Sequence, residues 1–341
     1  MRKRKNILLT GASGTIGREV LSQLYENKEF YEITVFDRKT SKTTKKLRAY
    51  KNDIRIVYGD ITNDNDINKI SHNKDIVIHL AAIIPPLADE NPDLAYQVNT
   101  IGSEKLIRSL EKYSPNAFFI YSSSIAVYGD RLKNPLININ DELKPSNGDK
   151  YAITKIKTEQ IIKNSKLDWT IFRLSAIMGG HKISKLMFHQ PLETSLEIAT
   201  AEDTARAFVN AIEKQRQLSK KVFNLGGGEN CRIIYKDFLA RSFEIVGLGK
   251  LDFPPKTFAD KNFHCGYYKD GNVLDNILNF RKDNLNTYFE KEKKKISILK
   301  KATFSLFKKI IKKYLQNQSE PLAAYIKKDK DLTEHFFNSE E

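Results

Sequence analysis

The sequence is poor in the residues that build disulfide frameworks, metal centres and membrane spans. Only two cysteines, Cys231 and Cys265, occur in 341 residues. That excludes a disulfide scaffold and a cysteine-based metal site, and a reducing cytoplasm fits such usage. His181, His189 and His264 lack ligand spacing, and Glu193, Glu197 and Glu202 add no pattern to them, so no metal is expected. No run approaches the ~18–20 apolar residues that span a bilayer. The basic start Met1-Arg2-Lys3-Arg4-Lys5 leads through Asn6-Ile7-Leu8-Leu9-Thr10, too short for a signal-peptide core. Excess charge is also scarce outside one segment. Residues 290–316 hold ten lysines and two glutamates, a net of +8 within the total of +15. The basicity is therefore local. No aromatic-rich RNA motif or zinc-finger spacing accompanies it, so nucleic acid is not an expected partner.

What is present is a globular composition, 40% hydrophobic and 29% charged, long enough for one large domain or two smaller ones. Asn6–Thr10, Glu32–Phe36, Ile54–Tyr58, Asp75–Leu80, Ala117–Ser122 and Trp169–Leu174 read as strands. Stretches near 15–27, 90–113 and 149–165 read as helices. A helix over 201–214, a strand Val222–Leu225 and the Gly226-Gly227-Gly228 turn extend the pattern. This alternation predicts an α/β fold, a parallel sheet with helices on both faces. Segments 176–200 and 229–289 break the order and are assigned to a small substrate lobe, and 290–341 to a basic C-terminal tail. In that tail Leu299, Ala302, Leu306, Phe307, Ile310, Ile311 and Tyr314 recur at helical spacing. Lys301, Lys308, Lys309, Lys312 and Lys313 fill the other arc. The expected arrangement docks the apolar stripe on the body, because amphipathicity is the default of surface helices. Peripheral contact with an anionic membrane surface through 290–316 is the alternative. Beyond Gln316 no pattern emerges.

Gly11-Ala12-Ser13-Gly14-Thr15-Ile16-Gly17 follows the first strand and opens the first helix. In that setting backbone N–H groups and the helix N-terminus face a diphosphate. Asp37 stands twenty residues past Gly17, at the end of the second strand. There a carboxylate accepts from an adenosine ribose and repels a 2′-phosphate, which favours NAD. Arg38 beside it keeps NADP as the alternative. Tyr151 is the one tyrosine of fifteen with a lysine, Lys155, four residues on. That spacing alone makes them neighbours on a helix face. Position gives the pair its weight. It opens the helix after the fifth strand, near whose end stands Ser124, and ligands in such sheets bind at the carboxyl ends of strands.

These stretches together resemble the extended short-chain dehydrogenase/reductase superfamily, specifically its NAD-dependent epimerase/dehydratase family. The matching segments are Thr10-Gly11 through Gly17, Gly59-Asp60, His79-Leu80-Ala81-Ala82, Val98-Asn99, Tyr121-Ser122-Ser123-Ser124 with Val127-Tyr128-Gly129, Tyr151-Ala152-Ile153-Thr154-Lys155 and Asn224-Leu225-Gly226. They cover roughly residues 5–245. The resemblance implies a Rossmann-type doubly wound sheet over 1–175, with 201–228 returning to it. Asp60 and Ile61 would flank the adenine, and Leu80, Ala81, Ala82 and Ser122 would follow the cofactor, with Asn99 supporting its nicotinamide half. Ser124, Tyr151 and Lys155 would be catalytic. A phenol of pKa about 10 is a poor base near neutrality. The Lys155 ammonium and the cationic nicotinamide are expected to lower it, so that Tyr151 exchanges a proton with a substrate hydroxyl. Ser124 would orient that oxygen, and Lys155 would also hold the nicotinamide ribose. His79 reads as structural.

Departures from the family pattern narrow the chemistry. Sugar dehydratases of the superfamily carry an Asp–Glu pair directly after the catalytic Ser or Thr, and the related decarboxylases a glutamate at the second of these places. Ile125 and Ala126 stand there, so elimination and decarboxylation are not expected. Nucleotide-sugar epimerases follow the sixth strand with Arg-x-Phe-Asn, whereas Arg173-Leu174-Ser175-Ala176 lacks the amide. Only 23 positions separate Gly179 from Glu202, short of the usual substrate insert. The expected activity is hydride transfer at a secondary alcohol or ketone of a sugar or nucleotide sugar, of epimerase or dehydrogenase type. An NADP-dependent reductase of a non-nucleotide carbonyl is one alternative. The other is a non-catalytic cofactor-binding regulator acting through the basic tail. A homodimer is left open as the assembly.

Overall fold

The computed structural model describes residues 4–179 and 185–338; His181 lies outside them. Seven parallel strands form the central sheet: β1 (Lys5–Thr10), β2 (Tyr31–Asp37), β3 (Arg55–Tyr58), β4 (Ile76–His79), β5 (Phe118–Ser124), β6 (Asp168–Leu174) and β7 (Lys221–Leu225). Their spatial order is β7-β6-β5-β4-β1-β2-β3. Chain direction across the sheet reverses between β1 and β4, which opens a crevice at their carboxyl ends. This is the Rossmann-type doubly wound arrangement.

Both faces of the sheet are covered, so its strands are apolar on both sides. Ile7, Leu9, Val35, Ile78, Ile120 and Phe172 point to one core, where α1 (Thr15–Glu26) packs through Val20, Leu21 and Leu24. Helix α4 (Ala201–Ala211) joins that face through Ala205, Ala207, Phe208 and Ala211, and the small alanines let the two helices approach closely. Leu8, Val77, Phe119, Tyr121 and Ile171 point the other way, against Leu106, Ile107 and Leu110 of α2 (Ser103–Tyr113) and Ile162 of α3 (Lys150–Asn164).

The helix expected over 90–113 is in fact several pieces. Asn91 caps a new start by accepting from Leu94 N at 3.0 Å, with Pro92 in the first turn, and a π-helical turn over Gln97–Gly102 precedes α2. The helix expected over 201–214 closes at Ala211.

Ala176–Met178 and Ser195–Thr200 leave the sheet and join Arg232–Ile234 in a separate three-stranded sheet. Helices α5 (Tyr235–Val246) and α6 (Leu285–Lys294) pack beside it around Phe188, Phe243, Phe258 and Phe289. Leu315 belongs to that same core, so lobe and tail share one interior rather than parting at residue 290.

The tail forms α7 (Ile298–Leu306), α8 (Lys308–Gln316), α9 (Glu320–Lys327) and α10 (Lys330–Phe336). The expected docking of its apolar stripe is corrected here. Phe304, Ile311 and Leu315 face the body, whereas Leu299, Leu306, Phe307, Ile310 and Tyr314 are exposed. The helix breaks at Phe307; apolar residues occupy both sides of α7, and on α8 only one edge of the apolar arc is docked. The segment beyond Gln316 is well anchored. Ser319 Oγ donates to Thr257 O at 2.7 Å, and Asp260 N donates to Phe336 O at 2.8 Å.

Candidate active site

The glycine loop runs from β1 into α1 at the crevice. Gly11 has φ 74°, and a Cβ there would stand 2.7 Å from Ala81 N; a Cβ on Gly17 would stand 2.1 Å from Gly11 O. Only glycine permits this closeness. Helix α1 starts after Gly14 without a side-chain cap and without acids in its first turn. The N–H groups at Thr15, Ile16 and Gly17 are thus available to an anion, while the Ile16 side chain packs against the core.

A cleft of about 190 Å³ opens beside the loop, lined by Gly11, Ser13, Gly14, Phe36, Asp37, Arg38, Gly59, Asp60, Ile61, Leu80, Ala81, Ala82, Ile83 and Val98. Asp37 is fixed at its rim, accepting from Ser13 N at 2.7 Å and Arg38 N at 2.8 Å. Asp60 is tied into its own turn, accepting from Thr62 N and Thr62 Oγ1, both at 2.8 Å. Lys46 Nζ donates to Ser13 O at 2.5 Å, and burial, with Arg18 and Lys42 nearby, lowers its pKa.

A buried chain of hydrogen bonds shapes the wall at 80–83. Ala81 N donates to Thr10 Oγ1 at 3.2 Å, and Thr10 Oγ1 lies 2.7 Å from His79 Nδ1. His79 Nε2 lies 2.8 Å from Ser103 Oγ, which itself donates to Asn99 O at 2.6 Å. These partners assign the imidazole proton to Nε2, so Nδ1 accepts from Thr10. Asn99 Oδ1 accepts from Ile83 N at 2.7 Å, and its Nδ2 donates to Ile83 O at 2.8 Å and to Thr154 Oγ1 at 3.1 Å. Asn99 therefore acts on the cleft by holding Ile83.

At the carboxyl end of β5, Ser124 pairs with Leu174 of β6 and accepts from Ala126 N at 3.2 Å. Tyr151 and Lys155 are buried in the first turns of α3, which Asp149 caps by accepting from Ala152 N at 2.8 Å. Ser124 stands near enough to the Tyr151 phenol to hold its pKa down against burial. Lys155 Nζ donates to Ser122 O at 2.8 Å and lies 5.7 Å from the Tyr151 ring centre. Burial pushes the Lys155 ammonium down to about 7, opposed by Glu159 one turn on. Burial also pushes the Tyr151 phenol up, opposed by Ser124. Without the cofactor, desolvation is the largest influence on the phenol, and the Lys155 ammonium is directed at the Ser122 carbonyl.

A model of the NAD dependent epimerase/dehydratase family matches residues 7–226. The chain belongs to that family. It is 23% identical over 199 residues to the mouse (Mus musculus) 3 beta-hydroxysteroid dehydrogenase type 7, covering 54% of each chain. It is 27% identical over 198 residues to the UDP-glucose 4-epimerase of Pisum sativum, covering 53% of this chain and 55% of the other. The chain thus spans about half the length of these relatives. The UDP-glucuronic acid 4-epimerase from Bacillus cereus, solved with UDP-glucuronic acid and NAD, shares the fold. Its TM-score is 0.70 at 21% identity, over 85% of this chain and 98% of that one.

NAD is the cofactor of this epimerase/dehydratase family, and the residues present fit it. The uncapped helix start and close-packed glycines suit a diphosphate, the fixed Asp37 a ribose, and the apolar slot between Ile61 and Val98 an adenine. Phe36, Ile83 and Lys46 also face or flank this cleft and were not singled out by sequence. Lys46 reaches Ser13 from 33 residues away, a contact no local pattern reveals. The remaining candidates are dispersed among other partners. His264 Nδ1 lies 3.0 Å from an Asp149 carboxylate oxygen, His189 Nε2 lies 2.9 Å from Glu320, and Glu197 pairs with Arg232 at 3.0 Å.

Proposed function

We propose that the chain is an NAD-dependent enzyme moving a proton and a hydride at a secondary alcohol or ketone of a sugar or nucleotide sugar, as an epimerase or dehydrogenase. The meeting of Ser124, Tyr151 and Lys155 at the carboxyl end of β5, beside the dinucleotide cleft, carries this reading. Bound NAD supplies the hydride-accepting nicotinamide. Tyr151 takes the substrate hydroxyl proton and returns it in the reverse direction. Ser124, beside the phenol, orients the substrate oxygen, and the charged form of Lys155 favours the phenolate. Both forms of Lys155 are populated near pH 7. Ile125 and Ala126 are buried and carry no titratable group, which argues against dehydration. The sugar class rests on the substrates named for the pea and Bacillus cereus proteins.

Tyr151→Phe tests the base. Turnover of UDP-glucose or UDP-glucuronic acid is expected to fall about 10²–10⁴-fold, while NAD affinity by calorimetry stays within about twofold. Persistent turnover removes Tyr151 from the role. NAD released from the purified protein only on denaturation favours an epimerase, which must keep its hydride carrier through a cycle; freely exchanging NAD favours a dehydrogenase.

A further inference from the structure

We propose that the outer face of α7 and α8 docks on an anionic lipid surface. Ile298, Leu299, Leu306 and Ile310 are 90%, 78%, 78% and 68% exposed, and Phe307 and Tyr314 join them. These are six of the fifteen large apolar side chains exposed among the described residues, gathered within seventeen positions. Isolated exposed apolar residues are ordinary, whereas a cluster marks a contact surface.

The helices are already docked by their other side. Phe304, Ile311 and Leu315 pack into the lobe core, and Lys312 donates to Lys250 O at 2.6 Å and pairs with Asp252. At about 100° per residue, Ile298, Leu299, Ala302 and Leu306 fall on an arc opposite Phe304. On α7 the cluster is therefore a second apolar face, and on α8 Ile310 and Tyr314 form the solvent edge of the apolar arc whose other edge, Ile311 and Leu315, is docked.

Charge selects its partner. Between Glu292 and Glu320 the sequence has nine lysines and no acid. Among the described residues, Lys300, Lys301, Lys308, Lys309 and Lys313 form no ion pair. A second copy would bring its own lysines against them, within a Debye length of about 10 Å. A soluble acidic partner would match the lysines and leave the apolar row unused. A bilayer containing anionic lipid takes both: apolar side chains enter the headgroup boundary while ammonium groups stay among the phosphates.

The test is sedimentation of the full chain with phosphatidylcholine vesicles, with and without phosphatidylglycerol, at low and high salt. Binding is expected only with phosphatidylglycerol and at low salt. Lys309→Gln should reduce partitioning about fivefold. The double change Leu306→Glu with Ile310→Glu should abolish it while leaving NAD affinity unchanged. Lys309→Gln carries the test if the double variant loses NAD binding. Absent sedimentation, equal sedimentation with neutral vesicles, or unaltered binding by these variants overturns the proposal. So does a concentration-dependent dimer that the double variant dissolves, which would assign the face to a second copy. Binding of polyglutamate that matches vesicle binding and ignores the double variant would assign it to an acidic protein.

Discussion

His79 is buried with both ring nitrogens engaged, one accepting from Thr10 and the other donating to Ser103. A second ring proton would confront the Thr10 hydroxyl and disturb the bond that holds Ala81. Burial, reinforced by Lys155, lowers the imidazole pKa to about 3 from 6.5. The unfolded chain therefore binds this proton below about pH 6.5, and the folded protein does not until near 3. The associated stability is complete above 6.5 and is lost as pH falls toward 3, in total on the order of 4–5 kcal/mol. His79→Gln should flatten this acid limb while lowering stability at neutral pH. Urea unfolding between about pH 7 and pH 4.5 checks it, and an unchanged pH slope would contradict the assignment. The structural role of His79 was legible from its place in an apolar strand. Its reach to Asn99 was not, because Ser103 belongs to an element 24 residues distant.

Helix α3 is joined to β5 and β6 by a buried ion pair. Glu159 meets Arg173 at 3.0 and 2.7 Å and accepts from Ser123 Oγ at 2.6 Å. Arg173 also donates to Tyr128 OH at 2.8 Å, and that phenol donates to Asn224 Oδ1 of β7 at 2.8 Å. The network lies one turn beyond Lys155 and one residue before Ser124, so it sets the spacing of these two side chains. Removing one partner strands a buried charge. Arg173→Met is expected to cost about 3–5 kcal/mol, and pairing it with Glu159→Met should recover much of that. Denaturant midpoints of the single and double variants decide it; a double-variant loss equal to the sum of the two single losses would mean the pair is not coupled. Strand positions were readable to within a residue or two because buried parallel strands are continuous apolar runs. The break at Asn91-Pro92 was written in capping residues, but the π turn had no sequence mark. In the tail, periodicity marked one apolar stripe and predicted that it docks, whereas Leu299, Leu306, Phe307, Ile310 and Tyr314 of that stripe are exposed.

Across the whole molecule, the C-terminal helices join the lobe to the cofactor half. Lys185 Nζ lies 2.8 Å from Glu320 of α9 and 3.6 Å from Glu90, just after the cleft wall. These half-exposed pairs contribute little alone. The anchoring comes from buried Phe336 and Phe337, packed with Ala259 and Ala324. Removing residues 319–341 should therefore leave NAD affinity within about twofold and reduce turnover about 10–100-fold through a misplaced substrate side. Turnover equal to the full chain would show those helices to be dispensable. No composition signal marked this segment, because its role rests on contacts made more than sixty residues away along the chain. The cleft beside the glycine loop, by contrast, is lined by residues 11–98, with Asn99 and Thr154 holding its Ile83 wall. Helix α1 and its glycine loop share one core with Phe172, Ala205, Phe208 and Leu225, so the lining of 11–98 is held in place only when the chain has closed the sheet through β7.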